Sequence, residues 1–538
     1  MPAQQGHQHW ALLSMRDKSG LVDFARGLDR SGFGILASGG TARHLGEAGL
    51  PVIPLEEVTG FATLLGGRVK TLHPLVHAGI LARRDRAEDM AQLGELGARP
   101  IDLVAVNLYP FRETVAAGAG EQEVLEMIDI GGPALLRAAA KNHRHVLVVC
   151  SPQQYGEVLA ALAGGALPPP EAPLRRRLAQ VAFQHTMAYD YAVAGYLATG
   201  PTQEDGAQAP AVPGAGAPAA GELPAELYLG WQRVRHLRYG ENPHQKAAFY
   251  IPVGRPPVGL GAARVLQGKE LSYNNMLDVH AAWALVSEFD PSRPACVAVK
   301  HAGPCGCSLG SDALSAYRRA RDADPVSVFG GIVAFNVSVD EEAAAEMTHL
   351  FLEVVVAPSF TPEARWHLAR KENLRLVEMP APYRPEAEFR QVWGGLLWQE
   401  LGAPAAAAPA TEWRVVTVRR PTTREMEDLR FAWKVVKHVR SNAIVLAHGG
   451  ATTGIGQGQP NRVDAARLAI GRAGPAARGS VMASDGFFPF PDTVEEAVRA
   501  GVTAIVQPGG SLKDDQSIAA CDRAGLAMVF TGVRHFLH

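Results

Sequence analysis

Cysteine is scarce in this chain. Five residues in 538, at positions 150, 296, 305, 307 and 521, are too few and too scattered for a disulfide framework. Neither sign of charge is in excess. The 52 Lys and Arg stand against 54 Asp and Glu, for a net charge of −2. That balance excludes a broad basic surface for nucleic acid and confines any anion site to a local patch. No apolar run approaches the ~18–20 residues that span a bilayer. Met1–Trp10 lacks the basic-then-apolar order of a secretory leader. The expectation is a cytoplasmic protein with no membrane or nucleic-acid partner. What is present is an ordinary globular balance, 47% apolar and 20% charged. At roughly 100–200 residues per domain, the length corresponds to about three or four compact units.

One stretch breaks the pattern. Residues 198–226 are rich in Pro, Gly and Ala and contain no aromatic before the end of the run, which reads as a linker. It divides the chain into 1–197 and 227–538. A second Ala/Pro-rich patch at 401–411 is either a surface loop or a joint within the second part. The first part alternates short apolar runs (Trp10–Met15, Phe33–Ala37, Leu50–Leu55, Leu103–Leu108, Val146–Cys150) with helical patterns, the first capped by Ser19 and closed by Gly32. This order predicts an α/β fold on a parallel sheet, with ligands beyond the carboxyl ends of the strands. In the second part, Ala295–Lys300, a Gly/Pro/Cys loop, a helix over 312–322 and SVFGGIVAF are echoed later. The echo runs through Ala443–Ala447, a Gly-rich loop, a helix over 463–472 and SVMASDGFFPF, and predicts two related α/β lobes.

Several constellations carry chemistry. Ser38-Gly39-Gly40-Thr41 follows a strand and opens a helix, where backbone N–H groups and the helix N-terminus favour an anion. Ser14, Lys18 and the run from Gly66 and Gly67 through Arg68, Val69, Lys70 and Thr71 add the cations and hydroxyls of phosphate recognition. A solvated basic turn is the alternative. Asn107 and Tyr109 stand at a strand end. Asp129 and Ile130 precede a helix that carries Arg137 and Lys141 four residues apart on one face. Lys300-His301 ends another strand, as a general base beside a cation would. Cys305 and Cys307 invite a zinc reading, but zinc deaminases pair His-x-Glu with Pro-Cys-x-x-Cys. Here the spacing is Cys-x-Cys and His-x-Glu is absent. Phe487-Phe488-Pro489-Phe490 is read as either core or a slot for a flat ring.

The runs ALLSMRDKSGLVDFA, SGGTA, TGFATLLGGRVKTLHPLVHAGILAR, NLYPF, IDIGGPALLRAAAKNH, LRYGENPHQ, VKHAGPCG and SDGFFPFPD resemble one family across nearly the whole chain and in the same order. That family is the bifunctional purine biosynthesis proteins. They join an inosine monophosphate (IMP) cyclohydrolase to an aminoimidazole carboxamide ribonucleotide (AICAR) formyltransferase. The resemblance implies a methylglyoxal-synthase-like cyclohydrolase domain over 1–197. Over 227–538 it implies a formyltransferase of two cytidine-deaminase-like lobes without metal. It further implies 10-formyltetrahydrofolate as co-substrate and a homodimer with transferase sites at the subunit interface.

By the matching motifs, the cyclohydrolase nucleotide would meet Ser14, Arg16, Asp17, Lys18, Ser38, Gly39, Gly40 and Thr41. Arg68, Val69, Lys70, Thr71, Val106, Asn107 and Ile130 would complete those contacts. Lys141 would be the proton donor and acceptor, with Tyr109 and Asp129 beside it. In the transferase, His301 would be the base and Lys300 the transition-state stabiliser. Arg238, Tyr239, Gly330, Glu353, Phe487 and Arg534 would join His301 on AICAR. Asn442, Arg462, Val463, Asp492, Ser511 and Leu512 would meet the folate. Two positions depart from the family: Arg16 stands where Ser is common, and Glu353 replaces a shorter acid. The linker is also longer. A competing expectation makes the first part a phosphate-sensing module attached to a transferase. Retention of Lys141, Tyr109 and Asp129 beside the phosphate loop argues for an enzyme.

Overall fold

The computed structural model describes residues 7–61, 65, 68–199, 227, 229–253, 257–380, 387–401 and 413–538. Most of the expected linker, most of the 401–411 patch, and Gly66 and Gly67 lie outside the described residues. The chain forms two compact units, Met1–Gly230 with Pro252–Gly254, and Trp231–Ile251 with Arg255–His538.

The first unit is built on β1 (His9–Ser14), α1 (Leu21–Arg30), β2 (Phe33–Ala37), α2 (Gly39–Glu47), β3 (Val52–Pro54), β4 (Leu103–Val106), α3 (Gly131–Lys141) and β5 (Leu147–Val149). The strands run in the order β3-β2-β1-β4-β5 and every pairing is parallel. β2, β4 and β5 are buried along their whole length, as expected for strands covered by helices. The chain leaves β1 towards β2 on one side and returns to β4 on the other. A topological switch point therefore opens at the carboxyl ends of β1 and β4. One detail differs from expectation. Ser19 does not cap α1: its N–H is tied to the Asp17 carboxylate at 2.9 Å, and Gly20, left-handed at φ 66°, takes the cap position.

The second unit begins with a hairpin, β6 (Trp231–Leu237) and β7 (Ala247–Pro252), and carries a second hairpin, β14 (Ala387–Val392) and β15 (Gly395–Glu400). Its body is one twelve-stranded sheet. The first lobe contributes β8 (Arg264–Gln267), α4 (Tyr273–Val286), β9 (Ala295–Lys300), β10 (Gly303–Leu309), α5 (Ala313–Asp322), β11 (Ile332–Phe335), β12 (Val354–Ala357) and β13 (Arg375–Glu378). The second repeats that order with β16 (Arg414–Val415), α6 (Thr423–Val436), β17 (Ile444–His448), β18 (Ala451–Gly456), α7 (Arg462–Ala473), β19 (Val481–Ser484), β20 (Ala504–Gln507) and β21 (Ala527–Phe530). Within each lobe the sheet order is the same, β8-β13-β12-β11-β9-β10 and β16-β21-β20-β19-β17-β18, and antiparallel pairing of β10 with β18 joins them. One apolar core draws on both lobes, including α4 and α6, and each lobe has a further core of its own.

The two stretches expected to be glycine-rich loops are strands β10 and β18. Tertiary packing explains the composition. A Cβ on Gly306 would overlap the carbonyl oxygen of Ala320 on α5, and one on Gly456 would overlap that of Ala465 on α7. Glycine lets a helix backbone lie directly on the strand. A bulge between Pro304 and Gly306 also sends Cys305 and Cys307 into different cores, so the pair cannot close on one metal ion. Among the described residues, no helix is long and apolar enough to cross a membrane.

Candidate functional site

In the first unit the expected nucleotide residues gather at the switch point. Ser14 ends β1, and its hydroxyl meets that of Ser38, the cap of α2, at 2.8 Å. Thr41 is buried and locks the loop after β1: its hydroxyl accepts from Met15 N–H at 2.9 Å and donates to Met15 O at 3.1 Å. Asn107, just past Val106 at the end of β4, accepts from the backbone N–H of both Arg16 and Asp17 and donates to Asp17 O at 2.9 Å. Arg16, Asp17 and Lys18 are left exposed. Lys18 Nζ lies 4.0 Å from where a Gly40 Cβ would stand. The first N–H groups of a helix have no partner within it, so this end of α2 with its cations suits an oxyanion.

A second group surrounds the start of α3. Asp129 accepts from Gly132 N–H at 2.8 Å, while its own N–H donates to the Tyr189 hydroxyl at 2.8 Å. Burial pushes the Asp129 carboxyl above its usual range, against the pull of the Gly132 and Tyr109 N–H groups and the Lys70 charge. Thr71 is buried against Gly131, and Ile130 is exposed. Arg68 is exposed and paired with Glu126, and Val69 is half-buried. Lys141 does not join this group within the chain. It ends α3, ten residues beyond Gly131, and a rise of ~1.5 Å per residue puts about 15 Å between the two ends. With Arg137 it lines a cleft of about 650 Å³ beside Leu81, His143, Arg176 and Phe183.

In the second unit one edge of the long sheet collects most of the expected transferase residues. In the first lobe this edge is the β9–β10 turn and the amino ends of β11–β13. In the second it is the amino end of β17 and the carboxyl ends of β18–β21. Lys300 closes β9 and donates to Phe329 O at 2.6 Å, beside Gly330. His301 and Ala302 form the turn with φ of 52° and 56°, and Ala302 N–H donates to Asp278 Oδ1 at 2.6 Å. Glu353, at the start of β12, is paired with Arg375 at 2.8 Å. Arg238 stacks over Tyr239 at 5.4 Å in the loop after β6. That loop reaches α4 through Asn274, which donates to Glu241 O at 3.3 Å.

In the second lobe Arg462 is buried and bridges three groups: Asp485 in an ion pair, Ser484 Oγ at 2.9 Å and Asn442 Oδ1 at 2.7 Å. Val463 follows it in α7. Asp492 opens the next helix and accepts from Thr493 N–H at 2.7 Å. Ser511 N–H donates to Asp514 at 3.2 Å, next to the fully exposed Leu512. Arg534 stacks over Phe536 at 4.7 Å. The Phe cluster divides: Phe488 is in the core, whereas Phe487 and Phe490 are exposed, with Lys513 over the Phe490 ring at 4.1 Å. The edge also holds groups that sequence reasoning passed over, namely Asp278 and Arg375. Asp278 could have been found by aligning the lobes, since it and Asp428 are each the sixth residue of their helices.

Comparison with known proteins accounts for both units. The MGS-like domain family matches residues 20–134, and the AICARFT/IMPCHase bienzyme family matches residues 139–472. A bifunctional purine biosynthesis protein PurH of Desulfitobacterium hafniense (strain DSM 10664 / DCB-2) is 50% identical, covering 98% of this chain and 99% of its own. The protein of the same name in Myxococcus xanthus (strain DK1622) is 50% identical over 98% and 100%. That of Parasynechococcus marenigrum (strain WH8102) is 51% identical over 98% and 99%. On these matches the chain belongs to the AICARFT/IMPCHase bienzyme family, with an MGS-like amino-terminal domain.

Proposed function

We infer that the chain catalyses the last two steps of IMP synthesis, formyl transfer to AICAR in the second unit and closure of formyl-AICAR in the first. One observation supports the reading above the others. In a chain half identical to its relatives from end to end, Lys300 and His301 stand on a left-handed turn at the same sheet edge as the Arg462–Asp485 pair. In the transfer, the exocyclic amine of AICAR attacks the formyl carbon of 10-formyltetrahydrofolate. The new C–N bond forms, the bond to the folate nitrogen breaks, and His301 takes the amine proton. Lys300 carries positive charge to the oxyanion and supplies a proton to the departing folate nitrogen. Arg238, Tyr239, Gly330, Glu353, Phe487 and Arg534 hold AICAR. Asn442, Arg462, Val463, Asp492, Ser511 and Leu512 hold the folate.

The edge also bears on assembly. Five strand spacings of ~4.8 Å separate β9 from β20, about 24 Å. A site that needs His301 together with the Ser511 loop is therefore completed by a second copy, as in a homodimer with shared transferase sites. In the first unit the phosphate sits on Ser38–Thr41 and the Lys18 and Arg68 cations, and the ring lies towards Asn107, Tyr109, Asp129 and Ile130. The carboxamide nitrogen adds to the formyl carbon and water leaves. Holding both ends of one molecule together supplies much of the acceleration, because an amide nitrogen is a poor nucleophile. A carboxyl raised by burial at Asp129 suits proton transfer in this step.

The distance between Lys141 and Asp129 favours a second reading, in which the first unit only senses a phosphorylated ligand. Product analysis separates the two. Purified protein mixed with AICAR and 10-formyltetrahydrofolate gives IMP if both units are enzymes. Formyl-AICAR accumulating alone would leave the first unit a sensor, and no product from folded protein would overturn the assignment.

A further inference from the structure

The two lobes make the same two-residue hairpin turn, with both central residues at positive φ, from different residues. Such turns are ordinarily made of Gly, Asn or Asp. In the second lobe they are Gly449 and Gly450, at 58° and 73°, and both N–H groups donate to Asp428, at 2.8 and 2.6 Å. In the first lobe the same positions are His301 and Ala302, whose Cβ atoms are strained in this conformation. The residue matching Asp428 is Asp278, half-buried on α4, and it accepts the Ala302 N–H at 2.6 Å. Lobe 2 thus shows the turn as it is built where only its shape matters. Lobe 1 keeps the shape against strain while presenting an imidazole.

We propose that Asp278 is a positioning residue for formyl transfer, holding the left-handed His301–Ala302 turn so that the imidazole is presented beside Lys300. The inference rests on the reading of His301 as the base of the transferase. A hydrogen bond to a carboxylate is stronger than one to a neutral acceptor, which suits a contact that opposes strain at two residues. Burial pushes the Asp278 carboxyl up and Glu353 adds to this, while the Ala302 N–H and the His301 charge pull it back. The carboxylate is therefore in electrostatic reach of the imidazole as well as bonded to its turn. When the turn relaxes, the base moves, and misplacement by an ångström is enough to slow a reaction that depends on orientation.

Steady-state kinetics of formyl transfer on the full-length chain test this. Asp278→Ala lowers kcat by about 10- to 100-fold, while KM for AICAR and for the formyl donor stays within about threefold. Asp278→Asn, whose amide oxygen can accept the same N–H, returns kcat to within about threefold of the parent. If the alanine variant does not fold, Asp278→Glu replaces it. That variant keeps the charge but moves the oxygen by one methylene, and its kcat falls with KM unchanged. Parental kcat in the folded alanine or glutamate variant overturns the proposal. So does a loss confined to KM, or an asparagine variant no better than the truncated one. His301→Ala separates this failure from that of the underlying reading. If it keeps full transfer activity the base is misassigned, whereas if it abolishes transfer and the Asp278 variants are unaffected, only the positioning role falls.

Discussion

The two lobes of the second unit share strand order, pairing sense and helix placement, yet they spend equivalent positions differently. Asn336 and Asp485 both follow the strand after the hairpin, and both cap the strand opposite, accepting from Ala295 N–H at 2.7 Å and Ala443 N–H at 3.1 Å. Asn336 then donates to three backbone carbonyls, whereas Asp485 pairs with the buried Arg462. At the ends of α4 and α6, Glu288 in one lobe faces His438 in the other at 3.1 Å, with Lys437 at 3.0 Å. A duplicated scaffold keeps backbone requirements in both copies. It releases side chains to specialise wherever a requirement can be met in more than one way.

Exchanging the specialised residues tests this contrast. The largest effect is expected at the turn. His301→Gly copies the second lobe and should cut formyl transfer by about 10²–10⁴-fold while sparing closure of supplied formyl-AICAR. Loss of both activities in folded protein would break the division between units. Next, Asp485→Asn copies the first lobe but leaves Arg462 buried without its carboxylate, at a cost of about 3–5 kcal/mol. Calorimetric melting would show it, and an unchanged Tm would mean that the pair holds nothing. Glu288 should contribute less, and only above acid pH. Burial alone would push its carboxyl up, but His438 and Lys437 hold it down at about 2. Stability from a depressed carboxyl is complete above an unfolded value of roughly 4.3 and is lost as pH falls towards 2. Glu288→Gln should therefore melt about 2–3 kcal/mol weaker than the parent at pH 6, with the gap closing towards pH 2. A gap independent of pH would contradict this. The smallest pair has opposite signs: Gly449→Ala should destabilise by about 1–2 kcal/mol and Ala302→Gly should stabilise by up to ~1 kcal/mol. Chemical denaturation reads both, and equal signs would erase the contrast in strain.

Much of this was legible in the chain. The five parallel strands of the first unit follow from short apolar runs between helical patterns, and β2 was placed to the residue. The Ser38–Thr41 turn after β2 and Lys300-His301 at the end of β9 were legible as strand ends because glycine and charge there mark the exit from an apolar run. β10 and β18 were not, because their glycines answer to helix backbones that only the folded lobe brings near. Asp278 leaves a trace only when the two lobes are aligned, because its partner is a backbone N–H 24 residues away. Lys141 is the opposite case. Sharing a helix with the Asp129 loop reads as proximity, but the axial rise of α3 carries it to the far end.

The five scattered thiols have a use in the laboratory. All are buried, and burial pushes Cys150 up to about 11 and Cys305 and Cys521 up to about 12, with Cys296 and Cys307 also raised. At neutral pH almost none is thiolate, so alkylation must wait for the surrounding structure to open. Cys150 lies in the first unit, Cys296, Cys305 and Cys307 in the first lobe, and Cys521 in the second. Residue-resolved labelling rates would therefore time the opening of three regions separately in the unmodified chain, and would report which of them a nucleotide or a folate closes.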